Sequence, residues 1–316
     1  MDITDSAAPP QTRFSVVIPH LNQPQMLARC LASLRAGQRQ PDQVIVVDNG
    51  STVLPRAVCE AAGAILLTEP VPGPGPARNR GVAAATGNVL AFIDADCLAD
   101  PGWLAAAERA ITADGATILG GDVRIAYADP DHLTRLEAYE SIYAYRMDRY
   151  IAREGFTGTG NLVVRRDVLA DVGPFAGIGV AEDRDWGQRA TARGYRIRYV
   201  ADMKVYHPAR QQFSELRQKW DRHMAHDYMQ ARPRLVGRLK WAAKMLAMAV
   251  SPLAELPRLM TSDRISGTGT RAQAFVGLSQ IRLYRSWQMA RLLIGGNPEA
   301  LAASWNRPAK PPANRP

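Results

Sequence analysis

The sequence predicts an α/β fold, a mainly parallel sheet flanked by helices and followed by a C-terminal helical extension. Short β-branched runs alternate with helical spacings from about residue 13 to 212, the strand-like runs end in polar or Gly/Pro clusters, and beyond His207 only helical spacing recurs.

The elements follow in order. Phe14 to Ile18 is an apolar run ended by Pro19, Leu27 to Leu34 has helical spacing, and Val44 to Val47 is a second strand ended by Asp48-Asn49-Gly50-Ser51. Ala57 to Ala62 is helical and Ile65 to Leu67 extended. The breaker-rich Pro70 to Pro76 precedes a helix from about Ala77 to Ala85, and Val89 to Ile93 closes this alternation. Strands alternating with helices imply right-handed crossovers, hence parallel neighbours. A helix over Trp103 to Thr112 and a strand over Thr117 to Ile125 come next. A helical pattern then spans about His132 to Ile151, and a Gly-rich turn at Thr157 to Asn161 precedes the run Leu162 to Val164. Ala181 to Arg193 opens with acidic residues and stops at Gly194, the charge order a helix dipole favours. Arg196 to Val200 reads as an edge strand leading to Tyr206-His207-Pro208.

Residues 213–294 form a basic, amphipathic helical extension. Residues 1–12 are polar and Pro-rich without the charged and apolar regions of a signal peptide, and 295–316 are rich in Pro and Asn; both read as disordered tails. At 316 residues and 47% hydrophobic, the chain can bury a full core. Cys30, Cys59 and Cys97 match no metal-ligand spacing and read as small buried hydrophobes in a reducing compartment, which points to a cytoplasmic protein. The net charge of +9 is uneven: residues 1–200 hold 20 Lys and Arg against 23 Asp and Glu, residues 201–316 hold 19 against 7. A basic, Trp-bearing extension suits an anionic membrane face or nucleic acid, and charge alone does not choose. Trp241 to Leu256 is too short and interrupted to span a bilayer.

Asp94-Ala95-Asp96 follows the apolar run Val89 to Ile93, so two carboxylates sit at a strand tip, where α/β sheets hold their ligands. Hard oxygens spaced two apart suit Mg²⁺ or Mn²⁺ shared with a diphosphate. Alone, Asp-x-Asp is more often a solvated turn; its neighbours decide.

Val17-Ile18-Pro19 through Asn22, Val46 to Ser51, Ala77-Arg78-Asn79-Arg80-Gly81 and Phe92 to Asp96 stand in an order continued by Thr157 to Asn161, Ala181 to Trp186 and Val205-Tyr206-His207. Together they resemble family 2 glycosyltransferases with the Rossmann-like GT-A fold, over about residues 13–208. That resemblance implies an inverting transfer of one sugar from a nucleotide-diphosphate sugar, UDP-linked, to a hydroxyl of a lipid-linked or cell-envelope glycan, with Mn²⁺ or Mg²⁺. It assigns the base to the turn containing Pro19 and Leu21, and a uracil or ribose hydrogen bond to Asp48. It gives the anionic nucleotide to Arg78, the ribose or a metal-bound water to Asp94, and the metal to Asp96 with His207. Asp183 would be the catalytic base, with Glu182 orienting it or binding the acceptor. Thr159, Gly160, Asn161 and Trp186 either line the sugar and acceptor site or pack in the core. Many relatives carry a second acidic residue where this chain has Val47, which bears on the nucleobase.

The Gln-x-x-Arg-Trp signature of processive synthases is absent, favouring single transfer. The competing readings are a non-catalytic nucleotide-sugar or nucleic-acid binding module and a nucleotidyltransferase. Retention of both Asp96 and Asp183 disfavours the first; the missing Gly-rich basic loop after the first strand disfavours the second. The expected partners are therefore the donor and a glycan or lipid-linked acceptor at the inner face of the cytoplasmic membrane, with a second subunit another candidate.

Overall fold

The computed structural model describes residues 11–231 and 235–302. The tails expected at 1–12 and 295–316 lie outside them except for 11–12 and 295–302, and Pro298–Ala302 within the latter is a short helix. The chain forms two compact units, Met1–Ala126 with Tyr145–Pro208, and Tyr127–Ala144 with Ala209–Pro316. The second is thus built from two stretches of chain, whereas the sequence reading divides the chain once, after residue 212.

The first unit contains β1 (Phe14–His20), α1 (Pro24–Arg35), β2 (Gln43–Asp48), α2 (Arg56–Ala62), β3 (Ile65–Thr68), α3 (Pro74–Ala84), β4 (Val89–Ile93), β5 (Leu98–Ala99), α4 (Trp103–Thr112) and β6 (Ile118–Ala126). The second unit takes α5 (Arg135–Tyr143). The first then resumes with α6 (Met147–Glu154), β7 (Asn161–Arg165), α7 (Arg166–Val172), α8 (Glu182–Ala192) and β8 (Ile197–Pro208).

One eight-stranded sheet runs β3-β2-β1-β4-β7-β6-β8-β5. β1 is parallel to both β2 and β4, and β2 to β3, so the crossover pattern read from the sequence is the observed half-sheet. β7 then runs antiparallel between β4 and β6, and β8 returns parallel to β6. The central strands β1 and β4 are almost wholly buried because both faces are covered. Phe14, Val16, Ile18, Ala91 and Ile93 pack on one side with α1 and Trp103. Val17, Ile45, Val47, Leu90 and Phe92 pack on the other with Phe175 and Trp186.

Several expectations are corrected. α3 starts at Pro74, not Ala77: Pro74 and Pro76 sit in its first turn, where a missing amide costs no helical hydrogen bond. The pattern over His132 to Ile151 is two helices, broken where Tyr145 turns to φ +48°. The expected edge strand at Arg196 to Val200 is the first part of β8, paired with β6 there and with β5 further on. The β6–β8 register jumps from Gly121↔Val200 to Asp122↔Lys204, so residues 201–203 bulge and Met203 turns fully inward.

Asn161 pins that bulge. Its amide donates to the carbonyls of Asp122 and Met203, both at 2.9 Å, and accepts the Trp103 indole N–H at 2.8 Å. It is fully buried, so every polar atom of the side chain is used within the core.

The second unit adds α9 (Phe213–Ala231), α10 (Leu235–Ala254), α11 (Leu256–Thr261), α12 (Thr268–Leu293) and α13 (Pro298–Ala302) to α5. α12 runs through three apolar clusters, giving Ala274 to one, Leu278 and Ile281 to the next, Met289 and Leu292 to the third. α5 opens on a capping box in which Thr134 and Glu137 satisfy each other's backbone amides.

Asn161→Ala leaves an indole N–H and two carbonyls without partners in the core, so urea unfolding should show a loss of about 2–4 kcal/mol. A loss below about 1 kcal/mol would mean these bonds do not hold the bulge.

Candidate active site

Parallel pairing brings the tips of β1, β2 and β4 to one edge of the sheet. His20 ends β1 directly opposite Asp48 at the end of β2, and both are buried. His20 Nε2 accepts the Gln23 amide at 3.2 Å, so the ring proton sits on Nδ1 and is donated to Asp48 Oδ1 at 2.9 Å. The other Asp48 oxygen accepts the amides of Gly50 and Ser51 at 3.2 and 3.0 Å. Burial alone raises this carboxyl, but the hydrogen bonds from Ser51, His20 and Gly50 outweigh it and hold Asp48 below its ordinary value. Asp48 therefore faces inward and shapes the turn after β2.

The surrounding loops are tied to that turn. Asn22, at φ +53°, receives the Thr52 amide on its side chain at 2.9 Å, and its own amide reaches Ser51 Oγ at 2.8 Å. Asn49 donates to the carbonyls of Glu69 and Val71 and accepts the Gly73 amide, which fixes the entry to α3. Beside them Pro19 is partly covered and Leu21 is half exposed, next to the exposed Asn22 and Gln23.

Arg78 does not project to solvent. Its side chain is 3% exposed and its guanidinium bridges two carboxylates, Asp94 Oδ1 at 2.7 Å and Glu182 Oε1 at 2.8 Å. One cation thereby joins α3, the tip of β4 and the first turn of α8. Asn79 reinforces the link by pairing with both backbone groups of Phe175, at 2.8 and 2.9 Å. A Cβ on Gly160 would stand 2.6 Å from Asp94 Oδ2, so that position passes beside the carboxylate only because it has no side chain.

Asp96 and His207 meet on the other side of this tip, with Oδ2 and Nε2 3.6 Å apart. His207 Nδ1 lies 2.7 Å from the Pro208 carbonyl, a contact that orients the ring with Nε2 toward Asp96. Tyr145 lies tilted against the imidazole at 4.6 Å between centroids, with its hydroxyl 3.1 Å from Nδ1. An imidazole fixed through its second nitrogen, next to a carboxylate, is a donor set suited to Mg²⁺ or Mn²⁺. Cys97 Sγ completes a cluster of three candidate ligand atoms within 4.8 Å of one another. Burial, with Asp94, Asp96 and Cys30 adding to it, pushes that thiol well up, and a hard cation prefers the oxygen and imidazole donors to a soft sulfur. Burial also raises Asp96, opposed by His207 and reinforced by Asp94.

Asp183 sits in the first turn of α8, next to the Glu182 that Arg78 holds. Burial raises its carboxyl, opposed by the Arg184 amide 2.7 Å from Oδ1, reinforced by Glu182 and opposed again by Arg78. A carboxylate with its proton affinity raised in this way has the chemistry to accept a proton near neutral pH more readily than an ordinary one.

The remaining expected residues divide. Thr159 is buried beside Gly160. Asn161 and Trp186 do not line a ligand surface: Asn161 is consumed by the bulge, and Trp186 is 1% exposed, packed on Phe175 with its indole N–H on the Gly173 carbonyl. His20, Asn22, Asn49 and Asn79 lie within the quoted motifs but received no role of their own from the sequence, and Tyr145 lies outside the motifs. His20 did leave a signal there, a polar residue closing an apolar strand as Asp48 closes the next.

Residues 15–173 match the family model described as glycosyl transferase family 2. Glycosyltransferase AglE of Haloferax volcanii is 34% identical over 215 residues, which cover 65% of this chain and 69% of AglE. The pre-mycofactocin glycosyltransferase of Mycobacterium tuberculosis is 29% identical over 230 residues, 66% of this chain and 45% of that protein. In fold, the chain is similar to mannosyltransferase PcManGT of Pyrobaculum calidifontis, solved with GDP-Man and Mn²⁺. The TM-score is 0.55 over 94% of this chain and 88% of that one, at 18% identity.

A carboxyl whose folded value lies below its unfolded one stabilises the fold above the unfolded value, and that contribution is lost as pH falls through the folded one. Asp48→Asn should therefore cost about 1–3 kcal/mol in urea unfolding at neutral pH. The difference from wild type should shrink below about pH 4. A difference that stays constant with pH would overturn the assignment.

Proposed function

Because the chain belongs to glycosyl transferase family 2 and is a glycosyltransferase, we propose that it transfers one sugar, with inversion, from a UDP-linked donor to a hydroxyl of a lipid-linked or cell-envelope glycan. The observation that carries this is the Arg78 bridge: one buried guanidinium sets the helix bearing Asp183 against the strand tip bearing Asp94 and Asp96. Base and donor-binding carboxylates are thereby held at a fixed separation, which is what in-line displacement requires.

The donor's base rests on the turn from Pro19 to Asn22. With Asp48 directed inward, recognition of uracil falls to backbone groups and the exposed Leu21. Asp94 keeps one oxygen on Arg78, and its other faces Gly160, leaving it placed for the ribose. Asp96 and His207 would hold Mn²⁺ or Mg²⁺, which neutralises charge on the departing nucleoside diphosphate. Asp183 takes the proton of the acceptor hydroxyl as that oxygen forms its bond to the anomeric carbon. The bond from that carbon to the diphosphate breaks on the opposite side, and its electron pair leaves with the nucleotide. Glu182, already paired with Arg78, raises the proton affinity of its neighbour through its charge. The exposed Ile178 and Val180 just before α8 border the acceptor approach. The net charge of +9 supports a peripheral position on the inner face of an anionic membrane, where a lipid-linked acceptor is presented.

The test is acceptor-dependent release of nucleoside diphosphate from a panel of nucleotide sugars with Mn²⁺. Asp183→Asn should lower kcat by about 100- to 10,000-fold. Nucleotide binding, read by thermal shift, should be retained. Because burial raises Asp183, the wild-type rate should fall on the acid side through a value above the ordinary carboxylate range, and that limb should vanish in the variant. A variant as fast as wild type would remove Asp183 from the mechanism.

A further inference from the structure

The helical unit exposes an apolar stripe that its own packing leaves uncovered. Val236, Leu239, Leu246, Val250 and Leu253 recur along α10 at steps of three, four and seven, and each is 62–64% exposed. They mark one face about 26 Å long at 1.5 Å per residue. The opposite face does the internal packing: Trp241 and Met248 are buried, and the Trp241 indole N–H reaches the Met289 carbonyl of α12 at 3.1 Å. α10 is therefore apolar on two sides, and only one of them has a partner among the described residues.

Charge selects the occupant. The helical unit holds 19 Lys and Arg against 10 Asp and Glu, the whole net charge of the chain, while the sheet unit is balanced at 20 against 20. α10 carries Arg238, Lys240 and Lys244 and no carboxylate. A second copy pairing stripe to stripe would set two basic helices side by side, with only the Lys244–Asp227 pair of each copy to offset their charge. Nucleic acid would require cations at the centre of the face, where the side chains are apolar. An anionic bilayer offers both chemistries, an apolar phase for the stripe and phosphates for the flanking Lys240. No helix among the described residues is long and apolar enough to cross a membrane, so insertion would be parallel to the surface.

Resting on the membrane-surface reading above, we propose that the exposed face of α10 is the membrane-docking surface, seated in the headgroup region of an anionic bilayer. The full chain should co-float with vesicles of equal parts phosphatidylcholine and phosphatidylglycerol at low salt, and much less with phosphatidylcholine alone. Leu246→Glu with Val250→Glu should weaken partition by about tenfold or more. Leu239→Gln with Leu253→Gln, which adds no charge, should act in the same direction, with the melting curve of both variants unchanged. Wild type remaining in the aqueous fraction with both vesicles would overturn the membrane reading and this surface with it. Wild type floating while both variants float equally well would overturn the surface alone. A dimer in size exclusion that the Glu pair turns into monomer would assign the stripe to a second copy instead.

Discussion

Arg78 is the constraint on which the site depends. A guanidinium this buried is tolerable only with charge-assisted partners, because stripping water from an unpaired cation costs several kcal/mol. Asp94 and Glu182 supply them, and each then owes its position to the same cation. Removing the guanidinium would leave both acids without their shared cation, so the tip of β4 and the first turn of α8 cannot be adjusted separately. Lysine, a single point charge on a flexible stem, would not span the two acids as the planar fork does.

The half of the fold built from local pattern was readable in advance. β1, β2 and β4 are short β-branched runs with polar stops, and the crossover rule makes them parallel, so Asp48 and Asp94 were expected at one edge and stand there. What escaped reading is non-local. Arg78 and Glu182 are separated by 104 positions, and nothing in either neighbourhood announces the other. Tyr145 breaks a run with good helical spacing, because its left-handed backbone is repaid by contact with His207, far along the chain. Asn161 and Trp186 lie within motifs that suggest ligand contact, yet the strand bulge and the second core layer claim them. A motif marks where a residue sits in the chain; whether its side chain is left over for a ligand depends on which buried polar groups need it first.

The same ordering of needs explains the turn after β2. Asp48 is surrounded by donors from its own loop and from His20, so its hydrogen-bonding capacity is taken up without any ligand. The backbone it holds, with Asn22 and Asn49 bracing the adjoining loops, is fixed by the protein's own hydrogen bonds, and a surface preorganised in this way lowers the ordering cost for any ligand that binds there.

The divided origin of the helical unit has a consequence for synthesis. α5 leaves the ribosome long before α12, yet Tyr139 and Ile142 of α5 bury against clusters that α12 completes. Until then those side chains stay exposed, in a segment held between two strands of a sheet able to form earlier. Domains usually mature from the N-terminus forward. Here the unit completed last contains a piece made in the middle, so its folding waits for nearly the whole chain.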